Sequence, residues 1–476
     1  MTTTEFHNLL IDKFPFDLTL KQDVVLQRLS SFIFDQDADK LFVLKGYAGT
    51  GKTTLISTLV NNLWHARKSA VLLAPTGRAA KVISKYAKRE ALTIHKKIYF
   101  PKKQNGGGVS FVLQPNKHKN CIFIVDEASM ISDINADSKL FDNGSLLDDL
   151  LQYVYAGHHC KLIFIGDTAQ LPPVKLDVSP ALDENKLALN YNKNIDHIEL
   201  DEVVRQAEGS GILSNATLLR EQLAANYFDD FKFDLGSFAD IVRLQDGYDI
   251  QNAIDTAYSS DGKEDTAIIV RSNKRANIYN QQIRSRILYQ ENDLNAGDYL
   301  MVVKNNYFWI KESSEAGFIA NGDIIEVLEI FTFKELYGFR FAEVKVRMVD
   351  YPNMKPFETV LLLDTISAET PALSYDDSNR LYQEVQKDYA NETSKYKKFM
   401  KTKQNKYFNA LQVKFSYAIT CHKSQGGQWK TVFVEQPYLP NGVSKDYLRW
   451  LYTAVTRAEQ KLYLIGFGND FFTEEY

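Results

Sequence analysis

The first two hundred residues alternate between short, almost unbroken apolar runs and stretches with helical spacing. Leu41–Lys45 (LFVLK), Ala70–Pro75 (AVLLAP), Cys121–Glu127 (CIFIVDE) and Lys161–Asp167 (KLIFIGD) show none of the in–out alternation of a half-exposed strand. Strands covered on both faces in a parallel sheet read this way, so the region predicts an α/β domain. Thr266–Ser272 (TAIIVRS), Lys430–Gln436 (KTVFVEQ) and Lys461–Phe467 (KLYLIGF) have the same character and predict a second α/β domain built from two separated stretches. Between them the text changes to alternating segments, GDYLMVV, NGDIIEVLEI, FRFAEVKVRMV and FETVLLL, followed by a polar helical stretch at 376–410. These predict a small inserted β-barrel. The expected organisation is a first domain at 1–195, a second at 196–294 with 413–476, and an insertion at 295–412. A hairpin at about 96–119 interrupts the first domain.

Composition narrows the class. At roughly 100–200 residues per domain, 476 residues give several domains, each with a core. Hydrophobic residues at 45% and charged residues at 24% exclude a disordered, collagenous or coiled-coil chain. No apolar run approaches the ~18–20 residues of a membrane span, and the opening MTTTEFHNLL lacks a signal peptide's features. Cys121, Cys160 and Cys421 lie far apart without a C-x-x-C, which predicts a reducing, cytoplasmic setting and no structural zinc.

Gly46-Tyr47-Ala48-Gly49-Thr50-Gly51-Lys52-Thr53 fits G-x-x-x-x-G-K-[ST] between an apolar strand and the helical TTLISTLVNNLW. Glycines let backbone N–H groups face phosphates, and the helix N-terminus adds partial positive charge. Lys52 is placed to reach the β/γ-phosphates, and the Thr53 hydroxyl to ligate Mg²⁺. Asp126 and Glu127 end a hydrophobic strand, where an acid pair has little structural reason to sit. Asp126 is expected to hold Mg²⁺ and Glu127 to activate water. Gln170, in GDTAQLPP after the next strand, is placed to sense the γ-phosphate, although the segment also reads as an ordinary polar turn.

In this order the motifs resemble those of a superfamily 1 helicase, subclass B, of the RecD-like and phage Dda-like group, over nearly the whole chain. GYAGTGKTT looks like motif I, APTGRAAK motif Ia, VDEASM motif II and GDTAQLPPV motif III. LDEVVRQ (Leu200–Gln206) resembles the motif IV region, YAITCHKSQGGQW (Tyr417–Trp429) motif V, and LYTAVTRAEQKLYLIG (Leu451–Gly466) motif VI. The resemblance implies two RecA-like domains, 1A and 2A, with a 1B pin hairpin and an SH3-like 2B barrel. It implies ATP and Mg²⁺ as cofactors, Thr54 beside the P-loop residues, Gln22 as a reader of adenine, and Arg205 and Arg457 as arginine fingers. Pro75, Thr76, Arg78, His95, Asn273, Thr420, His422, Lys423 and Ser424 fall where the family contacts single-stranded DNA, with Phe100 and Phe111 in the pin. His95 and His422 read equally as structural histidines, and the two phenylalanines as packing residues of their hairpin. Cys421 reads as a packing residue rather than a nucleophile. Family activity is ATP-dependent 5′→3′ unwinding by a monomer at single-strand/duplex junctions, in the company of replication, recombination or single-strand-binding proteins. A translocase that displaces proteins without processive unwinding keeps the same motifs. One departure is Gln428, where RecD-like chains carry an acid.

A net charge of −4 argues at first against a nucleic-acid binder. Locally the picture reverses. Residues 91–125 hold six lysines and no acid, and residues 393–434 hold nine lysines and no acid. In the second stretch Tyr396, Phe399, Tyr407 and Phe408 alternate with lysines, the composition of a track for single strands or of a solvated helix face.

Overall fold

The computed structural model describes residues 1–103, 109–133, 145–204, 209–228, 230–311, 314 and 316–473; the side chains of 101–103 and 109–111 lie outside that description. In the first domain β1 (Lys40–Gly46), β2 (Ser69–Ala74), β3 (Ala91–Thr93), β6 (Cys121–Val125), β7 (Lys161–Gly166) and β8 (Asn194–Leu200) form one sheet. Its order is β3-β2-β6-β7-β1-β8, every pairing parallel. The apolar runs are continuous because both faces are covered. Leu41 and Val43 of β1 join Phe123 and Phe164 over the helix Leu146–Tyr155. Phe42 and Leu44 face the helices Thr3–Lys13, Leu20–Phe34 and Lys52–Asn62. β4 (Tyr99–Lys103) and β5 (Val109–Leu113) form the expected hairpin as a separate two-stranded sheet.

The second sheet contains β9 (Ile241–Leu244), β10 (Thr266–Val270), β16 (Ala418–Thr420), β17 (Trp429–Glu435) and β18 (Ala458–Ile465), in the order β16-β10-β17-β18-β9 and again all parallel. Inserted in it, β11 (Tyr299–Val302), β12 (Ile324–Leu336), β13 (Phe339–Met348), β14 (Phe357–Leu362) and β15 (Leu411–Phe415) close into a five-stranded barrel. The fold is thus α/β with two P-loop-type parallel sheets, a hairpin insertion and a barrel insertion.

Two boundaries differ from expectation. β8 pairs with β1, so the first sheet runs to Leu200 and past the boundary expected at 195. β15 closes the barrel against β11 and β14, so the insertion's last strand crosses 412. The helical stretch resolves into Tyr375–Lys387 and Lys395–Lys403, packed on the barrel's outside through Leu381, Val385 and Tyr407 against Phe341 and Leu362. Tyr407 is therefore a core residue, its hydroxyl donating to Glu343 at 2.6 Å. Lys403 caps the Phe408 ring, Lys406 pairs with Glu343 and Lys401 with Glu392. Much of the lysine–aromatic stretch is barrel packing, and among its aromatics Tyr396 is the one more than half exposed.

Two polar contacts fix the barrel. Arg284, on the helix Asn273–Arg286, forms a fully buried bidentate pair with Asp298 (3.0 and 2.9 Å) just before β11. On the first domain, Lys81 reaches Asp350 at 3.1 Å, and the Asp323 carboxyl lies against Gly77, where a Cβ would come within 2.7 Å of it. Burial, with Asp350 nearby, pushes Asp323 up to about 8. Between about pH 4 and 8 the folded chain thus keeps a proton that the unfolded chain has released, so this group's contribution to stability falls as pH rises. Asp323→Asn, a neutral isostere, should raise Tm more at pH 8 than at pH 5 in differential scanning calorimetry. Equal shifts at both pH values would contradict the assignment.

Candidate functional site

Three strand ends of the first sheet converge. After β1 the P-loop turns through Gly49 and Gly51 at φ +74° and +82°, values glycine adopts without strain. Gly51 opens the helix Lys52–Asn62 with no side-chain cap, whereas Thr19, Thr76 and Ser145 each cap their own helix. Its first N–H groups are left for an anion. Gly46 packs against Lys52, whose Nζ donates to the Tyr47 carbonyl at 2.6 Å; Thr50 is buried, and Thr54 lies in the first turn. After β6, Asp126 accepts from the Glu127 N–H at 2.9 Å, and burial beside Glu127 pushes its carboxyl well above the usual carboxylate range. A cation there would restore the carboxylate, and Thr53 lines the same cleft, so the two oxygen donors suit Mg²⁺. Glu127 is held at φ +53°, a strained backbone for a non-glycine residue. After β7, Gln170 is buried, and its Oε1 has no partner among the described residues.

The second domain closes this cleft of about 460 Å³ with Arg457 and Gln428. Arg457 is 4% exposed and oriented by the carbonyls of Thr453 (3.0 Å) and Gly427 (3.3 Å) and by the Thr456 hydroxyl, with NH1 3.9 Å from Glu127. The cleft therefore brings together Lys52, Thr53, Asp126, Glu127, Gln170 and Arg457. Arg205 lies outside the described residues, although the approach to it passes the P-loop, Val204 N–H donating to Gly49 O at 3.1 Å. Gln22 takes a different place from the one the resemblance implies. Its Oε1 caps its own helix at the Thr19 N–H, and its Nε2 donates to Thr50 O at 3.0 Å, so it braces the P-loop from beneath.

The residues expected on DNA divide. Thr76 caps the helix Gly77–Ala87 and abuts Gly426, joining motif Ia to motif V. Pro75 is partly exposed, His422 is exposed, and Asn273, Thr420 and Lys423 line one shallow groove. Lys423 donates to Asn321 at the barrel, and burial draws it down to about 8. Phe100 is 55% exposed on β4, while the Phe111 side chain is outside the described set. Three residues make contacts within the protein. Ser424 is fully buried and donates to Cys421 O. Arg78 stacks on Trp429 at 4.0 Å and faces Asp350, Asp265 and Glu264, which makes it a domain contact. His95 is partly buried beside Tyr99, and desolvation draws it down to about 4, so it is neutral at pH 7. Cys421 is buried, with its thiol pushed up to about 12, the state of a packing residue.

Sequence reasoning missed Tyr452, Thr453 and Gln425. Tyr452, on the helix Lys445–Val455, accepts from Ala48 N–H (2.9 Å) and donates to Asp167 (2.6 Å). Thr453 Oγ1 accepts from Leu171 N–H (2.8 Å), and Gln425 donates to Leu171 O (2.7 Å). The available signal was that Tyr452 and Thr453 lie within the motif VI stretch and Gln425 within the motif V stretch.

Two parallel-sheet domains meeting over a P-loop, with an acid pair on one side and an arginine on the other, define a two-domain P-loop ATPase fold. Residues 33–232 match the AAA domain family and residues 415–465 the UvrD-like helicase C-terminal domain. An uncharacterised protein of Acanthamoeba polyphaga mimivirus is 25% identical over 93% of this chain and 98% of its own. The ATP-dependent RecD2 DNA helicase of Deinococcus radiodurans is 31% identical over 39% of this chain, and the ATP-dependent DNA helicase dda of Enterobacteria phage T4 28% identical over 60%. The chain spans 22% of the former and 62% of the latter. A Bacteroides Pif1 helicase structure in complex with ADP-AlF3 and ssDNA aligns over 97% of this chain and 95% of its own, at 15% identity and a TM-score of 0.47. Over these stretches the chain is similar to superfamily 1B helicases. No helix among the described residues is long and apolar enough to cross a membrane.

The site separates binding from turnover. Lys52→Ala should lose nucleotide binding. Glu127→Gln should keep it and lose ATP turnover by about a hundredfold or more. Fluorescent-nucleotide titration and phosphate release measure the two, and undiminished turnover in either variant would contradict the assignment.

Proposed function

We propose that the protein is an ATP-driven DNA helicase that moves 5′→3′ along a single strand and opens the duplex ahead of it. The observation that carries the reading is the single cleft in which Lys52, Asp126 and Glu127 of one domain face Arg457 of the other. ATP phosphates would lie on the P-loop N–H groups and Lys52. Mg²⁺, held by Thr53 and Asp126, would neutralise phosphate charge. Glu127 would take the proton of the attacking water, and Arg457 would offset charge on the transferring phosphoryl group, a role worth ~10³–10⁵ in rate. Arg205 would add a second finger, as the resemblance implies.

Because Arg457 belongs to the second domain, ATP draws the domains together and hydrolysis releases them. Thr76 on one domain and Thr420 with Lys423 on the other would grip the strand in turn. Exposed Phe100, on β4 of the hairpin, supports a pin that stacks on the junction base, a contact of ~1–3 kcal/mol. Direction and junction preference rest on likeness to the RecD-like and Dda-like group. Gln428, exposed at the cleft mouth, supports an uncharged contact to the nucleotide where that group has a carboxylate.

Strand displacement on matched substrates with a 5′ or a 3′ single-stranded tail tests the reading. The expected result is ATP-dependent opening of the 5′-tailed substrate. Preference for the 3′ tail would contradict it, and strand-stimulated ATP hydrolysis without displacement would leave a translocase.

A further inference from the structure

Tyr452 sits where three functional segments meet, and none of its geometry is needed for packing alone. It is 1% exposed, and its hydroxyl makes two bonds with different partners. It accepts from the Ala48 N–H inside the P-loop (2.9 Å) and donates to Asp167 Oδ2 at the end of β7 (2.6 Å). Asp167 is 2% exposed, and its other oxygen accepts from the Ala169 N–H at 3.0 Å. Burial and the neighbouring Asp167 raise the phenol well above its ordinary value, so it stays protonated and the direction of both bonds is set. Both side chains are buried, so losing either bond leaves a polar group unpaired at a cost.

The same residue belongs to the helix that leads to Arg457. Arg457 donates to the carbonyl of Thr453, the next residue after Tyr452, so a shift of this helix carries the guanidinium with it. On its other side the seam runs toward the strand-facing surface. Leu171 N–H donates to Thr453 Oγ1, Leu171 O accepts from Gln425, and Gln425 directly follows the turn Cys421–Ser424 that carries His422 and Lys423. Buried hydrogen bonds, linked by short stretches of backbone at 423–425 and 452–453, thus join the groove of Thr420 and Lys423 to the P-loop amide at Ala48.

We propose that Tyr452 is the positioning residue through which an occupied strand groove sets the rate of ATP turnover, a role that rests on the helicase reading above. Strand contact at Thr420 and Lys423 moves Gln425 and Leu171; Tyr452 passes that movement to the P-loop and to Arg457 together. The hydroxyl touches neither the reacting phosphate nor the strand.

Tyr452→Phe keeps the ring in its packing and removes both hydrogen bonds. Steady-state ATP hydrolysis is measured with and without saturating oligodeoxythymidine, alongside Tm. The expected result is a fall of about fivefold or more in the ratio of strand-stimulated to basal kcat. A merely structural role lowers both rates by the same folded fraction and leaves the ratio unmoved, and an unchanged ratio overturns the proposal. Should Tyr452→Phe fail to fold, Thr453→Val breaks the same seam at Leu171 and is held to the same ratio. Wild-type hydrolysis indifferent to the oligonucleotide would instead refute the helicase reading, and this inference with it.

Discussion

A buried polar group must be paired, and the contact between the two α/β domains is governed by that requirement. Ala48 N–H, Asp167, Leu171 N–H and Leu171 O all belong to the first domain and are all satisfied by Tyr452, Thr453 and Gln425 of the second. An apolar interface tolerates small slides, but a hydrogen-bonded one has few acceptable registers. The seam therefore fixes where Arg457 stands relative to Glu127 and Lys52. A cleft completed by groups from two bodies works only while that register holds.

The remaining architecture serves this geometry. Parallel sheets place the P-loop, the acid pair and Gln170 at the ends of neighbouring strands β1, β6 and β7, as open α/β folds do for their ligands. The barrel is tied to the second domain by the buried Arg284–Asp298 pair and touches the first through Lys81–Asp350 and Asp323. Breaking one partner of such a buried pair costs about 3–5 kcal/mol, so the barrel follows the second domain as one piece. The contact with the first domain is half-exposed at Lys81 and depends on a neutral Asp323, which makes it the weaker of the two attachments.

What could be read from the sequence was what is local. The P-loop is legible because close phosphate approach needs glycine and lysine at fixed spacing, and the long buried strands because both their faces are apolar. β3 and β16, three residues each, carry too few positions for a period. The expected boundary at 412 falls inside β15 because its partners β11 and β14 lie far away in sequence. Ser424 and Arg78 match motif positions but turn inward, since orientation at a helix or turn depends on neighbours such as Trp429 that periodicity does not reveal. Tyr407 belongs to the same class. Lysines flank it in sequence, yet the ring enters the barrel's outer core, and its neighbour Lys406 pairs with Glu343, as does Lys334 of β12. Near-neutral net charge is thus compatible with a narrow basic surface, and part of the apparent basic excess is spent within the protein.

The central claim is that one seam couples the nucleotide cleft to the strand groove. Coupling between two sites is reciprocal and typically worth ~1–3 kcal/mol, or about 5–150-fold in affinity. The direct measurement is the Kd of a fluorescent oligodeoxythymidine with and without a saturating non-hydrolysable ATP analogue. The account predicts that Kd changes by at least about fivefold between the two conditions. The same Kd in both would contradict it.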